Sequence, residues 1–192
     1  MASFWKTPLL GPAVFSIWRA DARRKLRLAR PWLSGDGTLL EIGSGPGSVL
    51  LEFRRAGLSI DGLDIADSSF REDLRPAVYD GTRMPYDDGA YDTALLLTVL
   101  HHTPDPDAIL REASRIAKRV IIIEDVFESA WQRKYTKITD SLTNLEFFGH
   151  PHSNRSDAGW RETFDRLGLS LIHGETHRFA AFFRQGVYVT ER

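Results

Sequence analysis

Residues 39–47 read Leu39-Leu40-Glu41-Ile42-Gly43-Ser44-Gly45-Pro46-Gly47. An apolar run of strand type ends here in a glycine-rich turn. Glycines without a Cβ let a ligand lie against the backbone, and each tolerates positive φ. Pro46 suits the first turn of a helix that follows. Strand, turn and helix in that order place a ligand at the carboxyl end of a strand, where open α/β sheets take their ligands. The spacing is G-x-G-x-G, with Ser48 where the dinucleotide fingerprint wants its third glycine.

The next segments supply the chemistry that a glycine turn alone lacks. Leu58-Ser59-Ile60-Asp61-Gly62-Leu63-Asp64 reads as a second strand ending in an acid, 17 residues beyond Gly47. A carboxylate there can accept both hydroxyls of a ribose, and nucleoside-binding folds place one about 20 residues after the turn. After a third short apolar run comes Tyr79-Asp80-Gly81-Thr82-Arg83-Met84-Pro85-Tyr86. Asp80 can accept a hydrogen bond from the exocyclic amine of an adenine. Asp-Gly also favours an Asx-type turn whatever the ligand.

These motifs together resemble the class I S-adenosylmethionine-dependent methyltransferases, in particular the small-molecule subgroup akin to methyltransferase type 11. That subgroup carries an Asp-Gly-x-x-x-Pro-x-x-Asp-Gly-x-Tyr-Asp signature, and here Asp80 to Asp92 reproduces it. Thr93 to Thr98 is similar to the family's fourth strand, and Val99 to Pro106 to the loop and helix start after it. The resemblance is tight over residues 35–125. It implies a Rossmann-like, doubly wound, mostly parallel seven-stranded sheet with an antiparallel C-terminal hairpin, and S-adenosyl-L-methionine as cofactor.

The bulk composition fits such a domain. A chain of 192 residues forms one domain that buries roughly 70% of its unfolded surface. Hydrophobic content of 42% and charged content of 27% are ordinary for a globular protein. The net charge of −1 provides no global field for nucleic acid. Without cysteine there is no disulfide, thiolate metal site or cysteine nucleophile. No apolar run approaches the roughly 20 residues that span a bilayer. Residues 8–18 are apolar but broken by Pro8, Gly11 and Pro12, and no small-residue cleavage site follows, so no signal peptide is expected. A cytoplasmic enzyme, monomeric or homodimeric, is the expectation.

Charge is unevenly spread. Residues 1–34 hold seven basic residues and only Asp21 as acid, leaving +6 there and −7 for the remainder. Three readings stay open: a solvated helix face in front of the core, a lid with Phe4, Trp5, Phe15 and Trp18 facing a substrate, or contact with a membrane surface or polyanion.

Strands are expected at 38–42, 59–64, 77–79, 92–98 and 119–125. Continuous apolar runs of this kind belong to parallel sheets covered on both faces. Helices are expected at 46–56, 67–75 and 105–118, the last opened by Asp105-Pro106-Asp107 with acids favourable to the helix dipole. The alternation argues for a doubly wound sheet. Residues 129–150 mix aromatic and polar residues, as one or two inserted helices would. Asn154 to Asp157 can cap a helix to about Leu167, ended by Gly168. Residues 169–176 and 182–190 alternate as two final strands. The expected organisation is one methyltransferase domain over 1–192. It comprises a helical lid at 1–34, a cofactor core at 35–125, a helical insertion at 126–155 forming the substrate pocket, and a closing helix and hairpin at 156–192.

Methyl transfer from a sulfonium is an in-line displacement, so the protein mainly binds, aligns and excludes water. A general base helps where the acceptor is a hydroxyl or protonated amine. By the resemblance, Glu41 holds the glycine loop or the methionine amino group. Gly43, Ser44, Gly45 and Gly47 form the cofactor loop. Asp64 and Ile65 serve the ribose and its neighbourhood. Asp80, Gly81 and Thr82 form the adenine edge, and Thr98 offers backbone to the methionine part. His101 and His102 follow strand four, where a histidine titrates near neutrality and can act as base or cofactor contact. Glu124, ending strand five, is a further catalytic candidate. Trp5, Trp18, Tyr135, Phe148 and His150 are the candidate substrate contacts. His150 and His152 flank Pro151 but lack a third ligand at suitable spacing, so no metal is expected.

Other functions fit less well. Amino-directed DNA methyltransferases carry an Asx-Pro-Pro-aromatic run after strand four for a flipped base, where this chain has Thr98-Val99-Leu100-His101. A nicotinamide dehydrogenase would need another glycine spacing and a Tyr-x-x-x-Lys pair. A methyltransferase-like scaffold that binds cofactor without turnover remains the non-enzymatic alternative, with an RNA or protein methyltransferase behind it. The expected partner is a small-molecule methyl acceptor. The accepting atom is not written in the sequence.

Overall fold

The computed structural model describes residues 11–127, 154–179 and 183–192. Its strands are β1 (Leu39–Ile42), β2 (Ile60–Asp64), β3 (Ala77–Val78), β4 (Tyr91–Leu97), β5 (Ala117–Val126), β6 (Ser170–Phe179) and β7 (Phe183–Glu191). Its helices are α1 (Gly11–Ala29), α2 (Ser48–Arg55), α3 (Pro106–Ile116) and α4 (Asp157–Leu167). The strands form one seven-stranded sheet in the order β3-β2-β1-β4-β5-β7-β6. β1 pairs in parallel with β2 and β4, and β2 with β3. β7 runs antiparallel to both β5 and β6. The doubly wound order and the antiparallel hairpin are those the sequence leads one to expect. By contacts the chain divides into two compact units, residues 1–95 with 115–118, and 96–114 with 119–192.

In the first unit all four residues of β1 are buried, as a strand covered on both faces must be. α1 lies on α2. Phe15 stacks on Phe70 with centroids 4.3 Å apart. Arg19 and Arg23 both reach the buried Glu52, at 2.6 and 2.7 Å. Burial pushes the Glu52 carboxyl up, but hydrogen bonds and charge from Arg23 and Arg19 outweigh it and hold Glu52 below the usual glutamate value. Part of the basic N-terminal charge is therefore internally compensated, while Arg27 and Arg30 remain exposed. Glu52→Gln is expected to cost about 1–3 kcal/mol, the range for a hydrogen bond to a charged group or its loss. Chemical denaturation measures the cost, and limited proteolysis at α1 shows whether the helix loosens.

Residues 67–75 do not form the expected helix. Asp67 takes the Ser69 N–H and hydroxyl at 3.0 and 2.6 Å, and the Phe70 N–H donates to the Pro46 carbonyl at 3.0 Å. Local side-chain bonds of this kind compete with helical ones. Only a 3-10 turn at Glu72–Leu74 remains. Arg115 secures the signature loop by donating to the carbonyls of Met84 and Tyr86 and to Asp88. Asp92, the last acid of the signature, binds Lys118 at 2.7 Å and the Thr38 N–H at 2.9 Å. These bonds, the one to Lys118 foremost, bring its carboxyl down to about 2.

In the second unit α3 starts as expected, with Asp105 accepting the Ala108 N–H at 3.0 Å. Ile109, Leu110, Ala113 and Ile116 are its buried stripe, the spacing of an amphipathic helix. Ser156 caps α4 by accepting the Gly159 N–H, and Gly168 closes it with φ 69°. Trp160, Phe164 and Tyr188 form the aromatic core beside it. Arg155 and Arg166 both bind Asp107, at 2.9 and 2.7 Å. The expected insertion at 126–155 lies almost wholly outside the described residues.

Candidate functional site

The glycine turn has the geometry a ligand cradle needs. Gly43, Gly45 and Gly47 have φ of 78°, 48° and 80°. The chain thus makes three left-handed steps in five residues, which side chains would resist. Above Gly45 a Cβ would meet nothing within 4 Å, whereas at Gly47 it would lie 2.7 Å from Leu74 Cβ. Gly45 therefore opens onto space and Gly47 is pressed against the post-β2 segment. α2 begins at Ser48 with Gly47 as its N-cap, two residues later than a start at Pro46.

Asp64 ends β2 beside this turn. Its Oδ2 accepts the Gly45 N–H at 2.8 Å, and its Oδ1 accepts the Ile65 N–H at 2.7 Å. A carboxylate has about four acceptor sites, so capacity remains for hydroxyl donors. Ile65 is 66% exposed, and its Cγ2 lies 3.4 Å from where a Cβ on Gly81 would be. An apolar side chain left in solvent beside a glycine suits the flat face of a purine. Asp80 is exposed, and its Oδ1 accepts the N–H and hydroxyl of Thr82 at 2.9 and 2.6 Å. The Asx-type turn is thus present. The Thr82 bonds draw the Asp80 carboxyl below its ordinary value.

Two buried polar atoms at the turn have no hydrogen-bond partner, Glu41 Oε2 and Ser44 Oγ. Buried polar groups are otherwise paired, so these two atoms are chemically suited to a polar ligand. Burial pushes the Glu41 carboxyl well above the usual range. The charges of Lys25 and Arg54 pull it down, and that of Asp64 pushes it up. Left-handed glycines, open space over Gly45, orphaned acceptors and an exposed apolar residue together fit a nucleoside cofactor that carries an amino acid.

In the second unit the candidates around the end of β4 form one cluster. His101 Nδ1 lies 2.6 Å from Glu124 Oε2. Glu124 Oε1 accepts the N–H groups of Val99 and Leu100 at 2.8 and 2.7 Å. Glu124 is 0% exposed and His101 2%. The His102 ring, half-buried, tilts against His101 at 4.0 Å. Thr98 lies just past the strand. Among the candidate substrate contacts, Trp18 is half-buried on α1, while Trp5, Tyr135, Phe148 and His150 lie outside the described residues.

Among the described residues no group of three or more His, Asp or Glu side chains forms a metal site, and no helix is long and apolar enough to cross a membrane. Residues that escape a reading of the sequence are Leu74 and Phe70, which brace the turn, and Lys25, buried on α1. Phe70 and Leu74, four apart, read as one face of a helix, and a lone lysine reads as surface.

A family model described as a methyltransferase domain matches residues 16–173. The chain belongs to that methyltransferase family. An uncharacterized methyltransferase of Mycobacterium sp. (strain JLS) is 30% identical over 90 residues, which cover 44% of this chain and 36% of the relative. The 27-O-demethylrifamycin SV methyltransferase of Amycolatopsis mediterranei is 29% identical over 118 residues, 54% of this chain and 43% of that one. The chain thus matches less than half the length of these curated relatives. Among solved structures, a SAM-dependent methyltransferase of Methanosarcina mazei superposes with a TM-score of 0.67 at 15% identity, covering 85% of this chain and 96% of that one. Magnesium protoporphyrin IX methyltransferase of Synechocystis, solved with bound S-adenosylhomocysteine, gives 0.64 at 18% identity, covering 91% and 83%. The likeness to both structures is one of fold.

Proposed function

We propose that this methyltransferase uses S-adenosylmethionine and acts on a small-molecule acceptor. The observation that carries the reading is the open turn over Gly45 with orphaned Glu41 and Ser44 beside it. It is supported by the Asp80–Asp92 signature, which resembles that of small-molecule enzymes, and by a relative whose name gives demethylrifamycin SV as its substrate.

When bound, the cofactor supplies an electrophilic methyl group on a sulfonium. The residues assigned to it are Glu41, Gly43, Ser44, Gly45, Gly47, Asp64, Ile65, Asp80, Gly81, Thr82, Thr98 and His101. Asp64 accepts from the ribose hydroxyls while steadying Gly45. Ile65 and Gly81 flank the base, with Asp80 and Thr82 at its edge. Glu41 answers the amino group. Among the catalytic candidates, His102 presents more surface than His101, so His102 is the one placed to take a proton from an acceptor. Glu124 and His101 act behind it. The segments 1–34 and 126–155 are assigned to the acceptor side of one methyltransferase domain, and an RNA or protein acceptor is the lesser reading.

Calorimetric titration with S-adenosylmethionine and S-adenosylhomocysteine tests the cofactor assignments, with Asp64→Ala beside the wild type. The variant is expected to bind about 10–100-fold more weakly, the scale of one or two hydrogen bonds to a charged group. Equal affinity would remove Asp64 from the site. An acceptor screen with the bound cofactor then decides the substrate class. Cofactor binding without turnover on small molecules would favour a scaffold, or an RNA or protein acceptor.

A further inference from the structure

Thr98 is the one non-glycine residue with positive φ among the described residues, at 62°. A β-branched side chain rarely adopts this conformation, and it persists only where the surroundings over-determine it. The Thr98 N–H donates to the Ile123 carbonyl at 2.7 Å, and its hydroxyl to the Leu97 carbonyl at 2.6 Å.

The turn is organised from β5. Three successive residues converge on one carboxylate, that of Glu124: the Val99 and Leu100 N–H groups donate to Oε1 at 2.8 and 2.7 Å, and His101 Nδ1 lies 2.6 Å from Oε2. Glu124 is fully buried, so its removal would leave the Val99 and Leu100 N–H groups to find other acceptors in the interior. The chain can wrap the carboxylate this closely only if it reverses direction at Thr98. We propose that Glu124 is a positioning residue, whose carboxylate holds Thr98 left-handed and so sets the carboxyl end of β4 for cofactor binding. The functional half of this proposal rests on the assignment of Thr98 as a backbone contact for the methionine part. The conformational half does not.

Glu124→Leu is the sharp test. Leucine keeps nearly the size of the side chain but offers no acceptor to the Val99 and Leu100 N–H groups. Thr98→Gly is the companion, because glycine accepts positive φ without a clamp. Three proteins are compared with wild type: each single variant and the double. The measurements are the backbone chemical shifts at position 98, which report φ, the S-adenosylhomocysteine Kd, and the melting temperature.

In Glu124→Leu the Thr98 shifts are expected to leave the left-handed range, and affinity to fall about tenfold, the scale set by one strained residue. Thr98→Gly alone is expected to melt higher than wild type. The double variant is expected to regain affinity to within about threefold of Thr98→Gly alone. A general loss of stability would give no such rescue. Left-handed Thr98 shifts persisting in Glu124→Leu, or a double variant as weak as Glu124→Leu, would overturn the proposal. A wild type that binds no S-adenosylhomocysteine would remove the assignment of Thr98 to the cofactor, and the Thr98 shifts would still decide the clamp.

Discussion

Gly47→Ala is expected to lose about 2–5 kcal/mol of stability and, with it, cofactor binding. Two costs combine. The backbone at Gly47 has φ 80°, and an L-residue held left-handed costs roughly 1–2 kcal/mol. The added methyl would also stand 2.7 Å from Leu74 Cβ and 3.2 Å from its carbonyl oxygen. Leu74 is itself fully buried, so relief requires moving the whole 67–75 segment, and overpacking of this kind costs about 1–3 kcal/mol.

Two other glycines separate these costs. Gly57 has φ 82° with nothing within 4 Å of a Cβ, so Gly57→Ala is expected to show the conformational cost alone, with affinity intact. Gly45 has φ 48° and equally open space. Gly45→Ala should therefore lose little stability yet bind cofactor poorly, since the methyl would occupy the open face of the turn. Thermal melts and S-adenosylhomocysteine titrations of the three variants give the comparison. At roughly 2–4 °C per kcal/mol for a chain of this size, Gly47→Ala should melt about 10 °C lower. If it were no worse than Gly57→Ala, the bracing of the turn by Leu74 would have no energetic weight.

The glycine turn, the acid of β2 and the alternation of strands and helices were legible because each rests on local pattern. β5 carries the apolar run Val120–Ile123, Ser156 and Gly168 bracket α4 as capping chemistry predicts, and the Asp80–Asp92 signature is contiguous. What escaped the sequence depends on partners far along the chain. Phe70 and Leu74, four apart, look like one face of a helix at 67–75. The structure instead turns Leu74 onto Gly47 and gives the Phe70 N–H to Pro46. The arginines of α1 suggest a solvated face, but two of them close on Glu52 some 30 residues away. Glu124 was visible as an acid at a strand end. That it gathers the Val99 and Leu100 N–H groups and the His101 ring follows from the fold, because charge alone has no period.

Glu41→Gln is expected to stabilise the ligand-free protein on the alkaline side of the folded-state Glu41 titration and to weaken cofactor binding. Glu41 is 3% exposed with Oε2 unpartnered, and burial chiefly holds its carboxyl well above the usual glutamate range. The folded state therefore keeps this proton to higher pH than the unfolded chain does. The contribution to stability is full below the unfolded value of about 4.3 and is lost as pH rises through the folded one. Glutamine imitates the protonated form at every pH. The variant should lack this downward slope and be more stable on its alkaline side by about 1–3 kcal/mol, the penalty of a buried polar group left unpaired. Urea denaturation across the pH range measures it. If Glu41 answers the cofactor amino group, binding favours the ionised carboxylate and expels the proton. Calorimetry in buffers of different ionisation enthalpy should then show proton release on binding to the wild type and none with Glu41→Gln, whose affinity falls about 10–100-fold. An unchanged pH slope would mean the buried carboxyl is not the group that titrates. An altered slope with unchanged affinity would mean that Glu41 holds the loop and not the ligand. In that second case the orphaned Oε2 would be a cost of the turn itself, and Ser44 would be the remaining buried group for the cofactor to satisfy.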